Sequence, residues 1–193
     1  YKCVIAGSIL TEEDGHYFNR LYWVRPDGSF DFYDKRHLFR MGNEHKTMTQ
    51  GNVQKIVELK GWKINLQVCY DLRFPVWSKN RYQNGAYAYD LLIYVANWPA
   101  IRRHAYLPLL NARAIENQCY VAGLNRVGKD GNGYYHSGDS RIIDPQGKMV
   151  AGLSDQEGII TGVFSAKMLQ DYRNQFPAWM DADKELITKQ NQL

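Results

Sequence analysis

The stretch Asp90-Leu-Leu-Ile-Tyr-Val-Ala96 decides the fold class of this chain. Its apolar residues run without polar alternation, which is typical of a strand covered on both faces of a mostly parallel sheet. Asn97-Trp-Pro99 ends the strand. Residues 103–117 then carry apolar side chains on one helical face, and residues 120–125 form a second short apolar strand. This strand–helix–strand unit predicts an α/β fold with right-handed crossovers.

The segment just before this unit repeats the pattern. Residues 62–69 predict a strand that ends at Cys69, and residues 73–82 predict a helix, with Pro75 in its first turn. Three strands and two helices therefore alternate along the middle of the chain.

Both ends of the chain read as β-structure. The hairpin with the clearest pattern joins residues 140–143 to 148–153 through Asp144-Pro-Gln-Gly147. The other predicted elements are strands at 3–10, 17–25, 30–33, 53–59 and 158–164, a hairpin turn at 12–15, and a helix at 166–175. The 193 residues predict one α/β domain, residues 1–193, with more than one sheet.

Composition excludes several classes of protein. The net charge is only +4 and the basic residues are scattered, which argues against a nucleic-acid partner. No apolar run approaches the length of a membrane span. The three cysteines, far apart and with no C-x-x-C, favour a reducing compartment and argue against a disulfide framework or a thiolate metal site.

The sharpest chemical feature is Cys69 at a strand-to-helix elbow. Free backbone N–H groups and the positive end of a helix dipole would lower the pKa of a thiol there and would receive an oxyanion. The alternative is a buried structural cysteine. A cysteine nucleophile commonly uses a histidine base, but none of the five histidines is singled out by its position.

Lys35 and Glu44 are two further candidates. Lys35 follows a predicted strand and Glu44 lies in the polar loop after it. Taken alone, each is most simply a solvated surface residue. Together with a thiolate they would supply an oxyanion stabiliser, a proton acceptor and a nucleophile for acyl transfer.

Three segments in order resemble the nitrilase, or carbon–nitrogen hydrolase, superfamily, and especially its ω-amidase branch. They are Tyr33-Asp-Lys-Arg-His-Leu-Phe39, Val68-Cys-Tyr-Asp-Leu-Arg-Phe-Pro75, and Asn97-Trp-Pro99 with Arg113-Ala-Ile-Glu-Asn117. The resemblance extends through essentially the whole chain. It implies a four-layer α-β-β-α sandwich, a homodimer packed through helices with the polar tail after Pro177 as a contributor, a cytoplasmic location, and no cofactor or metal.

The resemblance also implies a role for each matched residue. Cys69 would be the nucleophile, Lys35 the cation facing the tetrahedral intermediate, and Glu44 the residue that orients the lysine. The backbone N–H of Tyr70 would complete the oxyanion site. Asn97 and Trp98 would line the pocket, and Arg73 would either shape the elbow or meet a substrate carboxylate. The implied reaction is hydrolysis of a small amide, with the ω-amide of a 2-oxo dicarboxylic acid favoured, through a cysteine acyl-enzyme that releases ammonia.

One family feature has no match. The general-base glutamate of the family comes from a segment well upstream of its lysine, whereas 34 residues precede Lys35 here. Glu12 and Glu13 fall in a predicted turn and are not assigned to this role. We therefore expect the family's N-terminal strand and helix to be missing from this sequence. The alternative function is a non-catalytic scaffold or binding protein that keeps the pocket without the base.

Overall fold

The computed structural model describes residues 2–183. Its strands are β1 (Ile5–Glu13), β2 (His16–Val24), β3 (Phe30–Asp34), β4 (Lys55–Leu59), β5 (Trp62–Val68), β6 (Tyr82–Gln83), β7 (Ala86–Tyr87), β8 (Leu91–Ala96), β9 (Tyr120–Asn125), β10 (Val127–Lys129), β11 (Tyr135–Ser137), β12 (Ser140–Ile143) and β13 (Met149–Leu153). Its α-helices are α1 (Glu44–Thr47), α2 (Pro75–Ser78), α3 (Arg103–Asn117) and α4 (Ala166–Gln175). Short 3-10 turns occupy Arg40–Gly42, Cys69–Arg73, Ala100–Arg102 and Ala178–Asp181.

A six-stranded sheet forms the centre of the molecule, in the order β13-β12-β9-β8-β5-β4. As predicted, β5, β8 and β9 are parallel, and Val68 of β5 lies beside Val95 of β8. The carboxyl ends of these two strands therefore meet at one edge of the sheet. Helix α3 packs on one face, where a Cβ on Gly123 would lie 2.7 Å from Leu110. Glycine at this position thus permits close packing of helix on sheet.

A three-stranded sheet, β1-β2-β3, packs on the opposite face. Its inward side chains join those of the central sheet in one core: Leu21, Trp23, Tyr33, Ile64, Leu66 and Val68. Its outer face leaves Ile5, Ile9, Phe30 and Phe32 exposed. Residues 2–183 thus build a helix layer and two sheet layers, and none of their helices covers this outer face. The predicted α/β class with more than one sheet is confirmed.

The prediction of a helix over residues 73–82 is wrong. Only α2 forms, because Asn80 bonds the backbone of Tyr89 and Asn117 through its side chain and ends the helix there. The β6–β7 hairpin follows instead. Its Asn84-Gly85 turn has positive φ at both residues, 52° and 80°, the conformation this dipeptide favours in tight hairpins.

Three smaller expectations also change. Residues 158–164 do not form a strand: Ile159 and Val163 face solvent, while Phe164 packs against Trp62 and Tyr120. β1 continues to Glu13, so its turn is Asp14-Gly15 alone.

The tail after Pro177 is described only to residue 183, and the rest of it lies outside the described residues. Among the described residues, no helix is long and apolar enough to cross a membrane.

Candidate active site

The elbow after β5 holds Cys69 in a conformation that non-glycine residues rarely adopt. Its φ is +47°, and buried Asp71 fixes the turn around it. The Asp71 carboxylate accepts bonds from the Val68 N–H (3.0 Å), the Tyr33 hydroxyl (2.8 Å) and the His37 N–H (2.9 Å), and His37 Nδ1 lies 2.8 Å away. One buried carboxylate therefore ties the cysteine turn to the segment that carries Lys35.

Lys35 reaches the same region from the end of β3. Its side chain is 2% exposed, and its Nζ lies 2.6 and 2.8 Å from the two carboxylate oxygens of Glu44. The Phe39 N–H donates to the same carboxylate at 2.5 Å, and Asn19 Nδ2 lies 3.5 Å from its other oxygen. Both oxygens of Glu44 are thus engaged, and the ammonium is buried with its counter-charge beside it.

The ends of β8 and β9 supply the opposite wall. The Cys69 thiol points toward the carbonyl oxygen of Asn97, at 3.8 Å. Asn125 holds the adjacent residue, because its Oδ1 accepts from the Trp98 N–H (2.7 Å) and its Nδ2 donates to the Trp98 carbonyl (3.0 Å). The half-buried Asn125 amide therefore fixes the position and orientation of this turn by bridging neighbouring strands.

Aromatic contacts complete the wall near the thiol. The ring of Tyr70 packs edge-on against Phe39 and Phe74, at centroid distances of 5.0 and 5.2 Å. The Arg73 guanidinium lies over the Trp98 ring at 5.0 Å. This contact joins the elbow to the opposite wall, and the Arg73 guanidinium makes no ion pair among the described residues.

All seven residues selected from the sequence line one cavity of about 110 Å³: Lys35, Glu44, Cys69, Tyr70, Arg73, Asn97 and Trp98. A cavity of this size admits a small molecule rather than a polymer. Glu44 is its only carboxylate within residues 2–183. Glu12 caps its own turn and Glu13 pairs with Arg20 on the outer sheet, so neither reaches the cavity. A larger cavity, about 270 Å³ and beside Tyr82 and Trp179, contains none of the seven.

The electrostatics of the thiol differ from the expectation. Burial raises the pKa of Cys69 above its usual value, and the nearby Lys35 charge offsets part of this rise. The predicted lowering by a helix dipole is wrong because only a 3-10 turn of five residues, Cys69–Arg73, follows the cysteine. The Lys35 charge is therefore the largest influence that lowers the thiol pKa here.

Sequence reasoning missed the residues that hold the site together. In the sequence Asp71 is only one letter of the Val68–Pro75 segment, and no pattern singles out Asn19, Asn125 or Arg102. A polar residue directly at the end of a buried strand was the available signal for Asn125. No cluster of three His, Cys, Asp or Glu side chains able to hold a metal ion occurs among residues 2–183.

A thiol at a strained elbow, a buried ammonium and a paired carboxylate thus surround one small cavity of an α/β sandwich, and these are group types that thiol-based acyl transfer uses. The chain matches the carbon–nitrogen hydrolase family over residues 1–174, and it belongs to that family. The resemblance found in the sequence is confirmed.

Known relatives agree with this assignment. The chain is 52% identical over 184 residues to the omega-amidase YafV of Escherichia coli (strain K12), a match covering 95% of this chain and 70% of the relative. It is 34% identical over 184 residues to the 2-oxoglutaramate amidase of Bacillus subtilis (strain 168), with the same coverage. The solved structure of XC1258 from Xanthomonas campestris, a CN-hydrolase superfamily protein with an arsenic adduct in its active site, superposes with a TM-score of 0.93 at 48% identity. That match covers 94% of this chain and 70% of the other.

Proposed function

We propose that this protein is an amidohydrolase that cleaves the ω-amide of a 2-oxo dicarboxylic acid and releases ammonia. The observation that carries the proposal is the shared cavity of Cys69, Lys35 and Glu44. The names of the two relatives, omega-amidase and 2-oxoglutaramate amidase, supply the substrate class.

The reaction begins at the thiol. Cys69 Sγ attacks the amide carbonyl carbon to form a C–S bond, and the carbonyl oxygen becomes an oxyanion. The proton released from the thiol passes to the amide nitrogen, the C–N bond breaks, and ammonia leaves a thioester on Cys69. Water then adds to the thioester, the C–S bond breaks, and the acid and the free thiol are formed.

Two groups stabilise the oxyanion in this proposal. The Lys35 ammonium is buried, so its charge acts through little water. The Tyr70 N–H belongs to the first turn after β5, where backbone donors lack intrahelical acceptors. Asn97, Trp98 and Arg73 form the walls that orient the amide.

Glu44 acts as a positioning residue. Its carboxylate accepts from the ammonium and from the Phe39 N–H, so it fixes Lys35 rather than approaching the thiol as a free base. Proton transfer by a positioned base typically contributes about 10²–10⁴-fold, and the pairing of Glu44 with Lys35 places that contribution outside its proposed role.

Mass spectrometry of the protein mixed with 2-oxoglutaramate tests the proposal. We expect a covalent adduct on the peptide that contains Cys69, together with ammonia release, and both should vanish in Cys69→Ala but persist in Cys119→Ala. Ammonia release that is unchanged in Cys69→Ala would refute the mechanism. Substrate binding by calorimetry without any adduct or ammonia would favour the non-catalytic binding protein.

We further propose a cytoplasmic homodimer. The family resemblance supports the homodimer. The three free cysteines suit a reducing compartment and so support the cytoplasmic location. Light scattering at micromolar concentration should give twice the mass of the 22.4 kDa chain. The mass of one chain at all concentrations would contradict the dimer.

A further inference from the structure

The positive charges around the cavity are not balanced by carboxylates. Lys35 is paired with Glu44, but Arg73 and Arg102 also line the cavity, and neither makes an ion pair among the described residues. Because the thiol is neutral when protonated, the wall carries excess positive charge. A site of this kind favours an anionic ligand.

Arg102 is held in place by its backbone and by apolar neighbours. Its carbonyl oxygen accepts from the Trp98 indole at 2.9 Å, and its N–H donates to the Pro99 carbonyl at 2.9 Å. Its guanidinium lies over the Phe39 ring at 5.3 Å, and one of its nitrogens is 3.8 Å from the Met41 sulfur. These contacts orient the cation without neutralising it.

The next residue along the chain shows the contrast. Arg103 pairs with buried Asp139 at 2.7 Å and lies 3.9 Å from Asp155, so it braces the structure and does not line the cavity. Two adjacent arginines therefore have opposite uses. Arg103 is neutralised by the protein, whereas Arg102 keeps its charge and its fork of donors for a ligand.

We infer that Arg102 binds the carboxylate carried by the substrate at the end remote from the scissile amide, and so selects anionic amides. This inference rests on the proposed function, since the thiol defines the reacting end of the cavity. The planar guanidinium donates two parallel bonds to a carboxylate, a geometry that an ammonium does not reproduce. An uncharged amide would leave that cation without a partner.

Alkylation of Cys69 by two reagents of almost the same shape tests the inference without requiring turnover. Iodoacetate is anionic and iodoacetamide is neutral, so the ratio of their rates at Cys69 reports the local potential, and a change in thiol pKa cancels from the ratio. Peptide mapping follows exposed Cys3 in the same sample as an internal reference.

At low salt, Arg102→Gln should lower the iodoacetate-to-iodoacetamide ratio at Cys69 by roughly three- to tenfold and leave the ratio at Cys3 unchanged. Arg102→Lys should keep most of the wild-type ratio at Cys69. The matched control is Arg40→Gln, which removes the same charge from an exposed arginine outside the cavity and should change the ratio less than about twofold. An unchanged ratio in Arg102→Gln, or an equal fall in Arg40→Gln, overturns the inference.

Steady-state kinetics separate this inference from the proposed function. For 2-oxoglutaramate, Arg102→Gln should raise KM about tenfold or more with a smaller change in kcat, whereas kcat/KM for uncharged pentanamide should hold within about twofold. Equal losses for both amides overturn the role of Arg102. If neither amide gives ammonia that depends on Cys69, the proposed function fails, and the alkylation ratio still decides whether Arg102 sets the potential.

Discussion

Cys69 and Cys119 occupy similar places in the chain but opposite environments. Each lies at a junction between a helical turn and a strand, and each junction contains a non-glycine residue with positive φ, Cys69 itself or Gln118 at +45°. Cys119 is sealed in the core beneath α3, where burial strongly raises the pKa of its thiol. Cys69 opens on a cavity and has Lys35 nearby. Access to a cavity, rather than the junction, separates a candidate nucleophile from a packed thiol.

Removal of each thiol is the largest test of this contrast. We expect Cys69→Ala to reduce kcat/KM for 2-oxoglutaramate at least about 10³-fold, because no other group forms the thioester. Cys119→Ala should keep kcat/KM within about threefold and cost about 1–2 kcal/mol in the free energy of unfolding from the small cavity it leaves. Ammonia assays and urea unfolding measure the two effects, and the reverse pattern would show that the two thiols are wrongly assigned.

The cation beside Cys69 gives the next effect in size. Lys35→Met should lower kcat about 10²–10³-fold, since it removes a preorganised oxyanion partner. It should also move the pH profile of Cys69 alkylation by iodoacetamide to higher pH, because the Lys35 charge is the largest influence that lowers the thiol pKa. Glu44→Gln, which keeps a side chain beside the ammonium, should lose only about tenfold in kcat. A profile that does not move in Lys35→Met would contradict the electrostatic role.

The anchor of each junction differs as well. Asp71 fixes the Cys69 turn through its side chain, whereas the Cys119 N–H simply donates to the Ala114 carbonyl at 3.2 Å. Asp71→Asn places an amide NH₂ among donors, and we expect a loss of about 2–3 kcal/mol in the free energy of unfolding. Thermal and urea unfolding check this. The control is Asp155→Asn, at an exposed site, which should change the free energy of unfolding by less than about 0.5 kcal/mol.

The smallest effect is on stability at alkaline pH. In the unfolded chain a thiol loses its proton above about pH 8.5, but the raised pKa of Cys119 keeps the proton in the folded state. Above that pH the folded state binds more protons, so stability falls as pH rises, by at most about 1.4 kcal/mol per pH unit for one thiol. Cys119→Ala should flatten this fall between pH 8.5 and 10 more than Cys69→Ala, since burial raises the thiol pKa more strongly at Cys119 than at Cys69. Urea unfolding across this range measures how the free energy of unfolding depends on pH. Equal slopes against pH in both variants would contradict the contrast between the two thiols.

Local pattern was enough for some elements and misled for others. The apolar run at Leu91–Ala96 has only six residues, which favours a doubly covered strand over a buried helix, so the parallel unit was predictable. The helix expected at residues 73–82 failed because the side chain of Asn80 bonds a distant loop. The strand expected at 158–164 failed because Ile159 and Val163 have no sheet to cover them. In each failure a partner remote in sequence, or its absence from the described residues, overrode local propensity.

By itself the amino-acid sequence determined the α/β class, the three parallel strands of the central unit, the family, and seven of the residues that line the cavity. These follow from apolar periodicity and from motifs, which are local along the chain. Only the tertiary structure decided that Lys35 is buried against Glu44, that Asp71 ties the elbow to the lysine segment, that burial raises the thiol pKa, and that Arg102 faces the cavity while Arg103 does not. Charge, burial and hydrogen bonding depend on which distant segments pack together, and no local pattern specifies that.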